Sequence, residues 1–400
     1  MIQNPYETIT PEDWGIQKPN EEGKKKVFKY LGISYEELEK RWKNAVYKFA
    51  ASHFDNKVGA CHHFYLAKAK CFNGFDSGNF LIGINFLIMY DRYKDKEMLD
   101  KTEKCFWYAY ENCTDIHPMH TWQGGVRCGE KPWELYVKYT GDAVLAATAL
   151  YRRTKNDRYL FCLKQFHNFL KQARQQGFKF KFNTNTYKWT DTGYCWRSFG
   201  FPLVGYIKMY AITSEEKYLE NARAWADYGL SLQADNGCFY LLDNMFWNSD
   251  LTAPELRGLV FLYEITKEEK YLNSAIKFAN WLIKHQRDDG AWPTGIDRED
   301  EVCAPHVAPG DPANIGVSLI RLHKVTGEKK YLNSAMQTVK YSIKMQAAEG
   351  GAYPHCLDDP RVHWGFWSWD PPYDKWDLSG DQSVHHIRGM MFVADYLANL

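Results

Sequence analysis

The chain lacks an excess of either charge, a long apolar run and any closely spaced cysteine pair. Its 400 residues carry 50 Lys and Arg against 49 Asp and Glu, a formal net charge of +1, so no field favours nucleic acid or a membrane surface as partner. The longest apolar stretch, Phe80 to Tyr90, is broken by Gly83 and Asn85 and is too short to span a bilayer. The opening MIQNPYETITPEDWG is polar with no apolar centre, so no export signal is expected. Ten cysteines lie scattered without a CxxC, which excludes a compact disulfide framework. Reduced thiols and a cytoplasmic setting are the expectation.

What the chain does have is a unit that recurs six times, about every 60 residues. The clearest copies span 200–233, 254–286 and 312–346. Each is an apolar helix, a short polar turn, and an amphipathic helix starting at a Tyr-Leu pair: Tyr218-Leu219, Tyr271-Leu272 and Tyr331-Leu332. Repeated helix pairs bury faces that no single unit could bury alone. An opening helix from about Tyr35 to Ser52, capped by Ser34 and Glu37, precedes five pairs near 78–112, 135–174, 200–232, 254–286 and 312–346. A closing helix runs from about Ser383 to Leu397. Pairing the last helix with the first predicts an all-α (α/α)6 toroid over 35–400, with 1–34 as an extension packed on it; an open α-solenoid is the alternative. The first helix of each pair is apolar nearly all round, with glycines such as Gly200, Gly258 and Gly316 near its start, so the first helices form the inner ring. The second helices carry a charged stripe and form the outer ring.

Connections from inner to outer helices are short, whereas those from outer to inner helices run to roughly 20–36 residues, far above the usual length. All six long loops should lie on one rim, where the inner helices begin, and function is expected there. Ten of the fifteen Trp fall in these loops, and most of the histidines join them. Aromatic rings beside carboxylates and imidazoles suit sugar recognition. Trp122, Trp196, Trp292, Trp364 and Trp367 are the candidates for stacking on a sugar ring.

Carboxylates at the inner-helix starts are the acid/base candidates, because glycoside cleavage needs one group to protonate the leaving oxygen and one to activate water or attack. Asp381 and Asp76 come first, with Asp311 and Glu255 in reserve. Asp311-Pro312 also reads as an N-cap, and Thr252 to Glu255 as a capping box. Ser379 and Gln382 form another such box, which leaves Asp381 unneeded as a cap. Asp381, His385 and Arg388 share one face of the closing helix at i, i+4 and i+7. His120, His306 and His385 are candidates for proton transfer. Arg197, Arg257 and Arg388, with His386, are candidate substrate contacts, and the arginine forks suit a uronate carboxylate. His117 and His120 could be read as a metal pair, but no third ligand is assigned, so neither metal nor cofactor is expected. The partner expected is an oligosaccharide; oligomeric state is not legible.

The pattern LY-x-I-T-x-E-E-K-Y-L-x-x-A, at Leu262–Ala275 and echoed at Leu322–Ala335, resembles the six-hairpin glycosidase superfamily. In length and layout the chain is similar to unsaturated glucuronyl hydrolases and their rhamnogalacturonyl relatives. That resemblance implies catalytic Asp residues on the inner rim, where Asp76 and Asp381 stand, and hydrolysis of a short, uronate-containing oligosaccharide. Two relatives of the same toroid compete. Sugar 2-epimerases use paired histidines, for which His306 with His385 or His386 would serve, although Asp311 stands where they look to carry His. Polysaccharide lyases abstract a proton with Tyr or His, and Tyr194 or His120 would serve. Gln286, Gly290 and Trp292 fit the Q-x-x-x-G-x-W motif of terpene cyclases, a motif that stitches helix ends together. No DxDD or DDxxD cluster accompanies it. A non-catalytic sugar-binding protein is the remaining class.

Overall fold

In the computed structural model, the described residues are 18–129, 131–191, 197–240, 245–248, 252–308, 310–353, 359–372 and 376–400. The helices among them are α1 (Glu21–Leu31), α2 (Tyr35–Asn44, continued by a π-helical turn at Ala45–Ala50), α3 (Asn79–Tyr93) and α4 (Lys96–Cys113). Next come α5 (Val137–Thr154), α6 (Arg158–Gln175), α7 (Gly200–Thr213), α8 (Glu216–Ser231) and α9 (Thr252–Thr266). The chain ends with α10 (Glu269–Lys284), α11 (Gly310–Thr326), α12 (Lys329–Met345) and α13 (Gly380–Ala398).

Helices α3, α5, α7, α9, α11 and α13 pack one against the next, and α13 returns to α3, so the inner ring is closed. Their residues are buried on every side over most of their length, as Phe80 to Met89 of α3 illustrate. The outer ring is α2, α4, α6, α8, α10 and α12. Each shows a buried stripe and a wet one, which is what the charged stripes require. The fold is the all-α (α/α)6 toroid. The extra helix α1, which the sequence reading left inside its extension, packs on α13. Asn20 caps it by accepting from the Gly23 N–H at 2.8 Å.

Inner helices end alike. Lys94, Lys155, Ser214, Lys267 and Gly327 all take a left-handed conformation just past the helix, with φ between 55° and 74°. Each returns its N–H to a carbonyl four residues back, at 2.7–2.8 Å, and this turns the chain sharply into the outer helix.

Three glutamines stitch neighbouring repeats. Gln233 donates to Gly237 O and to Ser274 O on α10, at 2.9 and 3.0 Å. Gln286 donates to Gly290 O and to Ser334 O on α12, at 3.0 and 3.2 Å. Gln346 accepts from Arg41 on α2 at 3.1 Å and so fastens the last repeat to the first. The Q-x-x-x-G-x-W pattern is structural here.

The long loops gather on one rim, because they bond to each other. Phe64–Leu66 pairs with Asp377–Ser379 and with Cys71–Asn73, joining the first loop to the sixth. Lys131–Tyr136 pairs with Lys181–Asn183, joining the second to the third. Phe246–Trp247 pairs with Gly295–Ile296, joining the fourth to the fifth, and a bridge between Val307 and Asp370 joins the fifth to the sixth. These short strands were not expected from the sequence. No described helix is long and apolar enough to cross a membrane. The described cysteines for which a state is assigned (61, 71, 105, 113, 162, 238 and 303) are free thiols.

Candidate active site

All six inner helices contribute to one narrow cavity on the toroid axis, with a volume of about 30 Å³. Leu81 of α3, Asp142 of α5, Phe201 of α7, Arg257 of α9, Asn314 of α11, and His385 and Arg388 of α13 are among its lining residues. The i+4 and i+7 positions of α13 thus face the axis together, as their spacing predicted. Arg257 Nη1 donates to Asn314 Oδ1 at 3.0 Å, and Arg388 Nη2 donates to the same oxygen. Arg388 Nη2 also lies 3.2 Å from His385 Nδ1. A guanidinium has no acceptor, so that nitrogen accepts and the His385 proton sits on Nε2. Both arginines are almost fully buried.

Asp76 and Asp381 share a partner that sequence reasoning missed. His63 Nδ1 bonds to Asp76 Oδ2 at 2.7 Å, and its Nε2 lies 3.3 Å from Asp381 Oδ1. The three side chains are 14–21% exposed, so the cluster is reachable from the rim. Burial would lower the His63 pKa, but the two carboxylates outweigh it and hold the ring well above the ordinary histidine value. Burial likewise pushes the Asp381 carboxyl up, and the His63 imidazolium and Lys138 more than reverse this, holding it far below the usual range. Asp76 is lowered in the same way, against burial, by His63 and by the Gly78 N–H. The capping box expected at Ser379 and Gln382 does not form. Asp381 Oδ1 takes both the Ser379 hydroxyl and the Gln382 N–H, the latter at 2.7 Å. Gln382 instead accepts from the Gly310 N–H at 2.8 Å.

Glu255 behaves in the opposite sense. It is completely buried in the first turn of α9, where Ser198 donates to Oε1 and the Gly200 N–H approaches the same oxygen at 3.4 Å. Its Oε2 has no hydrogen-bond partner among the described residues. Burial pushes its pKa up to about 8, so the carboxyl keeps its proton at neutral pH. The capping role considered for Thr252 and Glu255 is not taken up: the Glu255 carboxyl turns to α7, and Thr252 Oγ1 is buried without a partner among the described residues. Asp311 lies inside the first turn of α11 rather than at its N-cap, and is completely buried.

The other candidates lie elsewhere. His120 and Trp122 both bond to Asp115, at 3.0 Å, in a stack that runs from His117 through Trp122 to Phe182. Their loop is fastened to the outer helix α6 through Asn168, so they stand at the outer edge of the rim. Arg197 bonds to the Asp191 carbonyl in a groove shared with Trp189 and Tyr228. Trp364 packs beside Lys40 and Lys48 near the outer helix α2. Trp292 and Trp367 are completely buried and present no ring face to a sugar. Trp292 Nε1 donates to the Leu282 carbonyl at 2.7 Å, which makes it a packing residue. His386 is also sealed, stacked on Phe366 and bonded to Ser342 of α12 at 3.0 Å; burial lowers its pKa to about 3. It therefore points away from the axis, one position from His385. His306 is half-buried in the fifth loop and is not among the lining residues of the axial cavity. Trp196 and Tyr194 lie outside the described residues. Among the described residues, no group of three or more His, Cys, Asp or Glu is arranged to hold a metal ion.

No curated protein matches the chain in sequence. The family model described as lanthionine synthetase C-like protein matches residues 252–369, from α9 to the last rim loop. Among solved structures the chain is similar to cellobiose 2-epimerase from Bacillus thermoamylovorans, at 13% identity and a TM-score of 0.70 over 91% of this chain and 100% of that one. It is also similar to a D-mannose isomerase, at 14% identity and a TM-score of 0.67 over 90% and 97% of the two chains. The GH76 α-mannanase of Bacteroides thetaiotaomicron gives 15% identity and a TM-score of 0.64 over 92% and 98%. At these identities the likeness is one of fold, and that fold is the (α/α)6 toroid on which carbohydrate-active enzymes are built.

Proposed function

We propose that this protein is a carbohydrate-active enzyme that cleaves a glycosidic bond in a short, uronate-containing oligosaccharide at the rim-side mouth of the axial cavity. The observation that carries this reading is the convergence of Arg257 and Arg388 on one amide oxygen in the cavity wall. Two buried guanidinium forks suit the paired oxygens of a sugar carboxylate better than a neutral hydroxyl.

The carboxyl groups supply the chemistry. Cleavage needs one neutral acid and one ionised carboxylate, and such roles are set by environments that push two pKa values apart. Glu255, raised to about 8, is the neutral carboxyl; it is completely buried and not among the lining residues of the cavity, so donation to the leaving oxygen requires the first turn of α9 to open. Asp381, held far below the ordinary range, takes a proton from water or attacks the anomeric carbon. Asp76 was expected to share the acid/base work with Asp381. Both are lowered, so neither keeps a proton at neutral pH, and Asp76 is assigned to hold His63 instead.

The test is a panel of uronate-containing oligosaccharides incubated in ¹⁸O-water. One labelled oxygen per cleavage is expected, with Asp381→Asn abolishing turnover in protein that remains folded, at a lowered melting temperature because His63 loses its partner. A product absorbing in the near ultraviolet, without label, would make the enzyme a lyase and overturn the reading. Epimerisation is the second reading, favoured by His385 in the cavity wall and by the fold likeness to cellobiose 2-epimerase. Solvent deuterium in recovered sugar, without cleavage, would decide for it.

A further inference from the structure

His63 stands at a junction that its own backbone helps to build. Its N–H donates to Gly74 O at 2.8 Å, and its carbonyl accepts from the Gly380 N–H at 2.9 Å. Gly74 lies two residues before Asp76, and Gly380 directly precedes Asp381. The strand Phe64–Leu66, which follows His63, is held between Cys71–Asn73 and Asp377–Ser379. The imidazole stacks on Phe64 with centroids 4.0 Å apart. A Cβ at Gly78 would come within 3.0 Å of the ring and 2.9 Å of Asp76, so the cluster leaves no room for drift. Each ring nitrogen faces a carboxylate oxygen: Nδ1 hydrogen-bonds to Asp76, whereas Nε2 meets Asp381 at ion-pair distance without the alignment of a hydrogen bond, and both can carry protons only in the charged ring.

The contacts on Asp381 are one-sided. His63, the Ser379 hydroxyl and the Gln382 N–H all meet Oδ1. Among the described residues no group hydrogen-bonds to Oδ2, and the side chain is 15% exposed.

We infer that His63 is a positioning residue: fixed by Asp76 through Nδ1, it holds Asp381 by Oδ1 and leaves Oδ2 as the reacting atom. The ion cluster stands on the geometry alone, whereas its catalytic meaning rests on the glycosidase reading. Lys138, paired with Asp142 at 3.5 Å, also faces Asp381; Tyr108 and Cys113 face Asp76, and His53 lies within electrostatic reach of His63. Lys138 keeps some positive charge near Asp381 when His63 is replaced, so the loss is graded rather than total.

Two measurements test this on the full-length protein. Nitrogen-15 NMR of the histidine rings is expected to show His63 protonated on both nitrogens at neutral pH, and to lose that state in Asp381→Asn. This readout needs no substrate, so it holds or fails independently of the proposed reaction. In turnover, His63→Gln and the milder Asp76→Asn are expected to lower kcat roughly tenfold or more, a part of what positioned proton transfer supplies. KM should change little, and the acid limb of the pH profile should move to higher pH as Asp381 loses its cation. A ring that titrates near neutrality, or a His63→Gln enzyme with an unmoved acid limb and an unchanged kcat, would overturn the inference. Should every sugar be left unprocessed while the doubly protonated ring persists, the reaction assignment falls and the ion cluster stands.

Discussion

Ser198 donates its hydroxyl hydrogen to Glu255 across the gap between the third rim loop and α9, and among the described residues no other side chain bonds to that carboxyl. One hydroxyl is too little to keep a completely buried carboxylate ionised. The folded pKa of about 8 lies above the ordinary glutamate value of 4.5. Glu255 therefore contributes stability that is full below about pH 4.5 and is lost as pH rises to about 8. Glu255→Gln removes that loss. Its melting temperature should gain on the wild type steadily between pH 5 and 8, with a ceiling on the order of 4 kcal/mol. Calorimetry of both proteins across that range checks it; a pH-independent difference would mean that the carboxyl is already ionised in the fold.

The arginine pair makes a prediction about selectivity. Arg388→Lys keeps the charge but loses the fork that reaches both Asn314 and a substrate carboxylate. KM for a uronate substrate should rise about tenfold, equivalent to about 1.4 kcal/mol. KM for the same sugar with its carboxyl reduced to an alcohol should hardly change. Arg257→Lys should behave alike, because both side chains converge on one oxygen. Equal loss on both substrates would assign the pair to holding the cavity wall.

The toroid was legible because its inner helices, buried on every side, and its outer helices, buried on one, obey different hydrophobic patterns over many turns. Gly200 and Gly258 reflect that packing directly: a Cβ would come within 2.3 Å of Glu255 N at the first and 2.6 Å of Leu203 at the second. The rim was harder to read, because its side chains follow no period. Nothing in the His62-His63 doublet announces that the second imidazole meets Asp381 from the far end of the chain. The tryptophans misled in the same way. Sequence places Trp292 and Trp367 in long loops, but only packing decides whether an indole faces a mouth or a core. Adjacent His385 and His386 divide between the axis and the gap beside α12 because successive helical positions point about 100° apart.

The glutamine stitches should carry stability and not activity. Gln286→Ala takes away the acceptor of the Ser334 hydroxyl and one donor each from the Gly290 and Ser334 carbonyls. A loss of roughly 1–3 kcal/mol is expected, read as a lower urea midpoint with kcat and KM intact. Gly290→Ala should cost more, since φ is 93° and a Cβ would come within 2.3 Å of the Gln337 carbonyl.

Trp292 separates a sugar platform from a structural indole. It is completely buried, and its Nε1 donates to the Leu282 carbonyl at the end of α10. Trp292→Phe keeps most of the volume and removes one of two hydrogen bonds to that carbonyl, which still accepts from the His285 N–H at 3.1 Å, so the cost should be about 0.5–1.5 kcal/mol. Trp292→Ala adds a cavity and should cost about 3–5 kcal/mol. In both variants the surviving folded fraction should bind substrate with the wild-type KM, because no face of the ring is open to a ligand. A rise in KM for Trp292→Phe at unchanged stability would show instead that the loop opens and the indole meets the sugar.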